Sequence, residues 1–252
     1  MSDVRWTNGQ FGAEDFRIEQ GALRPITGAL WTAPDATSQT PLVLCGHGAS
    51  GDRYQAPIPH LARRFGTERG WSVLSIDGPV HGLRQVGVGG REAFAEEMQS
   101  KTSQDDMVSD WHRGVATMAA ERQLGQSALG YFGLSMGTIF GIPLLASELQ
   151  IAASAIGLCG SNGIGRYLGG RLLADAAAIT HPLVFIMQLE DELFDRAGYL
   201  DLFDALASHD KRLHANPGLH AEVPAEEIAY VFDFLSNHLG EMPPSPSTLL
   251  AT

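Results

Sequence analysis

Short, continuous apolar runs alternate along this chain with segments whose apolar positions recur every three or four residues. Pro41 to Cys45, Trp71 to Ile76, Ala128 to Phe132, Ile151 to Leu158 and Leu183 to Gln188 form the first class. Runs of this length suit strands buried on both faces of a parallel sheet. The second class supplies four helix faces: Ile58, Leu61, Ala62 and Phe65; Met107, Trp111, Val115 and Met118; Leu200, Phe203, Leu206 and Ala207; and Ile228, Val231, Phe232 and Leu235. The last is entered through Pro224, with Glu226 and Glu227 in its first turn, where carboxylates meet the positive end of the helix. Arg212 to Ala215 reads as one more short strand. Alternation of this kind predicts a single α/β domain over residues 1–241, with a mainly parallel sheet flanked by helices. The tail at 242–252, with Pro243, Pro244 and Pro246, is expected to be disordered.

Two segments interrupt the pattern. Val86 to Gly90 is glycine-rich and leads into a short polar helix over 91–102; residues 160–180 form a loop with a short helix at Arg171 to Ala178. Both are expected to project over the carboxyl ends of the strands, where α/β proteins bind ligands, as a small lid or none.

Composition narrows the classes of function. Of 252 residues, 44% are apolar and 18% charged, an ordinary globular balance, but the net charge is −12. That charge argues against nucleic acid and an anionic membrane surface as partners, and neither is expected. No apolar stretch approaches the roughly 20 residues of a membrane span. Met1 to Gln20 lacks the apolar core of a secretory signal. Cys45 and Cys159, the two cysteines, are expected to stay reduced, which makes the cytoplasm the expected location. The nine histidines are scattered without H-E-x-x-H or C-x-x-C spacing, so no metal is expected. The glycine-rich stretches at Gly87 to Gly90 and Gly163 to Gly170 match neither phosphate-binding fingerprint, so no cofactor is expected.

Candidate chemistry begins at Gly133-Leu134-Ser135-Met136-Gly137, placed between a predicted strand and a predicted helix over Thr138 to Leu149. A serine on so sharp a turn points its hydroxyl outward, and its neighbours two residues away on either side must lack a Cβ. A serine hydroxyl is a poor nucleophile until a base takes its proton, and that base must be held in one tautomer by an acid. In hydrolases built on such a turn the order is serine, acid, histidine. Beyond the strand Leu183 to Gln188 lies Leu189-Glu190-Asp191-Glu192, and near the end of the chain lies Asn216-Pro217-Gly218-Leu219-His220. Asp191 is the candidate acid, with Glu190, Glu192 and Asp195 as rivals. His220 is the candidate base, ahead of His214. Two backbone amides are needed for the developing oxyanion. Met136 offers one at the start of its helix; Ala49, in the loop Gly46-His47-Gly48-Ala49, offers the other, with Gly48 second. His47 is expected to be a structural hydrogen-bonding residue, and His81 a loop-packing or pocket residue.

The chain resembles the α/β-hydrolase superfamily, and within it the dienelactone-hydrolase-like serine esterases. The shared marks run from Gly28-Ala29-Leu30-Trp31-Thr32-Ala33-Pro34 through Gly46-His47-Gly48, Asp77-Gly78-Pro79-Val80-His81-Gly82, the serine turn and Asp191-Glu192 to His220. The resemblance implies an α/β-hydrolase fold and a Ser135–His220–Asp191 acyl-enzyme mechanism on a small-molecule ester of small to medium acyl chain, in a monomer or homodimer. Dienelactone hydrolases proper carry cysteine at the nucleophile position, where this chain has serine. Thioesterases, amidases and peptidases share the same turn, and a silent hydrolase fold can serve only to bind.

Overall fold

In the strand Leu42–Gly46, Leu42 and Leu44 enter one hydrophobic core while Val43 and Cys45 enter another. A strand buried on both faces requires helices on both sides of its sheet. The structure is a computed structural model that describes residues 4–87, 89–163 and 167–240. Its elements run β1 (Val4–Asn8), β2 (Glu14–Gln20), β3 (Leu23–Trp31), β4 (Leu42–Gly46), α1 (Ile58–Arg64), β5 (Ser72–Ile76), α2 (Gly90–Glu97), α3 (Ser103–Arg122), β6 (Leu129–Leu134), α4 (Met136–Leu145), β7 (Ile151–Gly157), α5 (Gly169–Ala176), β8 (Leu183–Gln188), α6 (Arg196–Ala205), β9 (Lys211–Asn216) and α7 (Ala225–Leu239). The strands form one sheet in the order β1-β2-β3-β5-β4-β6-β7-β8-β9. From β5 to β9 every pairing is parallel. This is the mainly parallel, helix-flanked sheet expected of an α/β-hydrolase.

One core gathers Met107, Trp111 and Met118 of α3 with residues of α4, α5 and α6; the other gathers Ile58, Leu61 and Ala62 of α1 with Val231, Phe232 and Leu235 of α7. The helix α4 packs against β4, β6 and β7 and against α3 and α5, and is buried along its whole length, which is why its sequence shows no polar face.

Two features differ from the sequence reading. The strands β1 to β3 form an antiparallel extension that the continuous-run criterion does not detect. In β2, Phe16 and Ile18 are buried while Asp15, Arg17 and Glu19 alternate with them, the period-two pattern of a strand packed on one face. The second difference is in α6. Of the expected face Leu200, Phe203, Leu206 and Ala207, Phe203 and Leu206 pack on the core, but Leu200 is 37% exposed and Ala207 is exposed; Gly198, Tyr199 and Leu202 are the buried residues of the helix, which ends at Ala205. The docked side is thus rotated from the expected one towards the buried tyrosine, with Phe203 still against Phe185. The tail at 242–252 lies outside the described residues, and no helix among them is long and apolar enough to cross a membrane.

What matters for function is the register. Gly46 pairs with Gly133, Leu134 with Gly157, and Gln188 with Asn216. The loops after β4, β6, β8 and β9 therefore open on the same edge of the sheet.

Candidate active site

Ser135 sits between β6 and α4 at φ 58°, ψ −118°, in backbone territory that side-chain-bearing residues seldom occupy. The surroundings enforce it. A Cβ on Gly133 would stand 2.7 Å from the Gly137 carbonyl oxygen, and one on Gly137 would stand 2.5 Å from that of Gly46. The Ser135 amide donates to Gly157 O at 2.9 Å, and Thr138 Oγ1 lies 2.8 Å from Gly133 O while accepting from the Gly157 amide at 2.8 Å. The turn is thus clamped between β4 and β7, and the serine hydroxyl is left facing the loops.

His220 Nε2 lies 2.9 Å from Ser135 Oγ, and its Nδ1 lies 2.7 Å from Asp191 Oδ2. The three residues named from the sequence are therefore one hydrogen-bonded chain. The Asp191 side chain is almost wholly buried, at 1% exposed. Burial alone would push its carboxyl up, but hydrogen bonds from His220, Tyr199 and the Leu193 and Phe194 amides outweigh it and hold the group below the ordinary carboxylate range. Asp191 stays ionised and so can hold Nδ1 protonated, leaving Nε2 free to accept.

The rival carboxylates are not idle surface groups. Glu190 accepts from the Gly218 amide at 2.5 Å, and Glu192 accepts from the amide of His220 itself at 2.9 Å. Asp195 caps α6 through the Gly198 amide at 2.8 Å. Gln188, buried at the end of β8, reaches the carbonyls of Pro217, Leu219 and Glu222 at 3.0–3.4 Å. The loop that carries His220 is thus fastened to the loop that carries Asp191 at several points. His214 is elsewhere, with Nδ1 2.7 Å from Glu227 on α7.

Ala49 and Met136 line the same cleft as Ser135 and His220. The peptide between Gly48 and Ala49 is oriented by His47, whose Nδ1–H donates to Gly48 O at 2.8 Å while its Nε2 accepts from the Gly78 amide at 2.8 Å. Burial pushes His47 down to about 4, so it remains neutral in that tautomer. The next peptide is oriented by His81, whose Nε2–H donates to Ala49 O at 3.1 Å. Two imidazoles, 5.3 Å apart and edge to face, thus brace the segment that offers the Ala49 amide.

Beneath them, buried Asp77 accepts from Thr27 Oγ1 at 2.6 Å, from the Arg53 amide at 3.1 Å and from Arg53 Nη1 at 3.1 Å. Arg53 continues to Asp15 of β2 through two contacts of 2.9 Å. This network ties the antiparallel extension to the loop after β4.

No protein-family model matches the chain, and no curated protein does. Solved structures do. A cold-adapted esterase from an Arctic intertidal metagenomic library, in a PEG-bound complex, shares 30% identity over 94% of this chain and 100% of its own, with a TM-score of 0.80. The chain belongs to the α/β-hydrolase esterases. An acetyl xylan esterase from Paenibacillus sp. R4 (14% identity, 95% and 90% covered, TM-score 0.70) and an esterase of Pyrococcus furiosus (18%, 94% and 97%, 0.65) share the fold.

The cleft that Ser135 and His220 line has a volume of about 1450 Å³. Phe94, Ala95 and Met98 from α2 and the loop after it, with Tyr167, Leu168 and Arg171 at the start of α5, form its outer wall; Leu134, Ile139, Leu158 and Ile228 form its apolar floor. Both segments singled out as lid candidates contribute to that wall. Arg171 of this wall pairs with Asp105 of α3 at 2.9 Å, and Gln104 Nε2 of α3 donates to Ile139 O on α4 at 3.1 Å. No group of three His, Cys, Asp or Glu among the described residues is arranged to hold a metal ion.

Sequence reasoning did not find Tyr199, Gln188 or Phe194, whose ring lies 5.9 Å from that of His220. Nothing in their spacing announces them. Their role depends on how the loops after β8 and β9 fold over each other.

Proposed function

We propose that the chain cleaves carboxylic esters of small to medium acyl chain through a Ser135 acyl-enzyme. His220 takes the proton of Ser135 Oγ as that oxygen attacks the carbonyl carbon, then returns it to the departing alcohol. Asp191 keeps the imidazole in the required tautomer and stabilises the imidazolium. The amides of Met136 and Ala49 hold the oxyanion, Met136 at the positive end of α4. Water then attacks the acyl carbon with His220 again as base, releasing the acid. The observation that carries this reading is the 2.9 and 2.7 Å hydrogen-bonded chain Ser135–His220–Asp191 at one side of an apolar cleft.

Ser135→Ala should lower kcat by about 10⁴-fold or more with the fold retained, since the three groups act as a unit. An organophosphonate should label Ser135 alone; modification at any other residue, or turnover surviving in the alanine variant, would overturn the assignment.

Chain length is the second test. The loop between β7 and β8 is too short for a large helical cap, which alone favours an optimum of two to six acyl carbons. The volume of the cleft extends that range upward. Each methylene contributes about 0.8 kcal/mol while the apolar floor can still bury it. Nitrophenyl esters from acetate to palmitate should give the best kcat/KM at about four to eight carbons, with palmitate well below the peak. Undiminished turnover of palmitate would require a deeper acyl channel than this cleft.

A further inference from the structure

Tyr199 lies on α6, and its ring is fully buried against Phe185 of β8 and Phe194, at 6.2 Å from each. Its hydroxyl donates to Asp191 Oδ2, the same oxygen that receives His220 Nδ1–H. The other carboxylate oxygen is occupied separately, by the amides of Leu193 at 2.7 Å and Phe194 at 3.0 Å. Asp191 is therefore shared among four donors, two on each oxygen, and the imidazole competes with a phenol for the oxygen it uses.

We propose that Tyr199 is a positioning residue that sets the basicity of His220, by drawing charge from Asp191 Oδ2 and weakening the pull of the carboxylate on the imidazolium. A carboxylate that is neutralised by more donors stabilises a neighbouring cation less. With that phenol proton removed, the carboxylate would hold the imidazolium more strongly. The inference rests on reading Ser135, His220 and Asp191 as the catalytic groups.

The other groups facing this pair are differently engaged. Glu192 and Glu190 accept backbone amides of the His220 loop, Glu222 accepts the Leu219 amide at 2.8 Å, and Asp195 caps α6. The buried Cys159 thiol is pushed up by burial and stays neutral. Burial and the adjacent Asp191 raise Tyr199 far above an ordinary phenol, so it remains a donor across the working range. Of these side chains, only Tyr199 puts a proton on the oxygen that His220 uses.

The experiment follows the histidine ring signals of the full-length protein by nitrogen-15 NMR from pH 4 to 9, beside the pH profile of kcat/KM. Tyr199→Phe should raise the His220 pKa by about half to one pH unit and carry the acid limb of kcat/KM upward with it. Site-specific 3-fluorotyrosine at 199 keeps the shape and makes a stronger donor, so both should move down; this variant decides the matter if Tyr199→Phe fails to fold. Phe185→Leu, which loosens the same ring without touching the hydroxyl, should lower the melting temperature and leave both pH readings in place. The proposal is overturned if the His220 titration stays within about 0.2 pH units of the unmodified protein in both hydroxyl variants. A moved titration with an unmoved kcat/KM limb would uphold the coupling of Tyr199 to His220 and instead remove His220 as the catalytic base.

Discussion

Four carboxylates crowd the turn after β8, and one of them faces the imidazole. Asp191 is distinguished from Glu190, Glu192 and Asp195 by depth: its side chain is buried and fully hydrogen-bonded, whereas the others hold backbone amides at the surface. Asp191→Asn should therefore cost on the order of 10³ to 10⁴ in kcat, because an amide favours the wrong tautomer of His220 and offers no charge to the imidazolium. Glu192→Gln keeps an oxygen for the His220 amide and should stay within about ten-fold. Steady-state rates on one short ester separate the two, and equal losses would show that position in the loop, not burial, decides the role. The order of serine, acid and histidine made Ser135, Asp191 and His220 legible in the sequence. The partners of Asp191 were not, since a tyrosine eight residues away on a helix has no spacing of its own to mark it.

At the scale of elements, the serine turn shows how much of the site is backbone. Gly137→Ala would drive a methyl group to 2.5 Å from Gly46 O, and Gly46 cannot retreat without breaking the β4–β6 ladder. Destabilisation of about 3 kcal/mol or more is expected, in the upper range for a single substitution. Urea unfolding would measure it, and a loss under 1 kcal/mol would mean the clamp is softer than its geometry. The central strands were legible because burial on both faces leaves an unbroken apolar run. The antiparallel β1 to β3 were not, because packing on one face spreads the same signal over alternate residues. In α6, overlapping apolar stripes satisfied helical spacing, and the docking of Tyr199 against Phe185 and Phe194 turns the buried side away from Leu200.

For the whole molecule, buried neutral histidines set the acid limit. Burial pushes both His47 and His181 down to about 4. In the unfolded chain each takes up a proton below about 6.5. Between these values the unfolded state binds more protons than the fold, so stability falls as pH falls from about 6.5 to 4. Each fully buried group tilts the curve by at most about 1.4 kcal/mol per pH unit, and the half-buried His181 by less. Urea midpoints should decline steadily from pH 7 to 4.5. His181→Asn, remote from the cleft beside Ser154, should flatten that slope and leave ester turnover unchanged. A level stability curve down to pH 5 would contradict the linkage.

The separation of Ser135, Asp191 and His220 along the chain bears on how the proposed activity first arises. Ser135 and His220 are 85 residues apart, and Asp191 and His220 are 29 apart. Ribosomes deliver roughly 5–20 residues per second, N-terminus first. A nascent chain thus holds its nucleophile for several seconds or more before its base exists. Even then the base stays unplaced until β9, at the edge of the sheet, has paired with β8. On the proposed mechanism a portion that ends before His220 turns over no ester, so the appearance of ester turnover during synthesis or refolding times the arrival of the last strand.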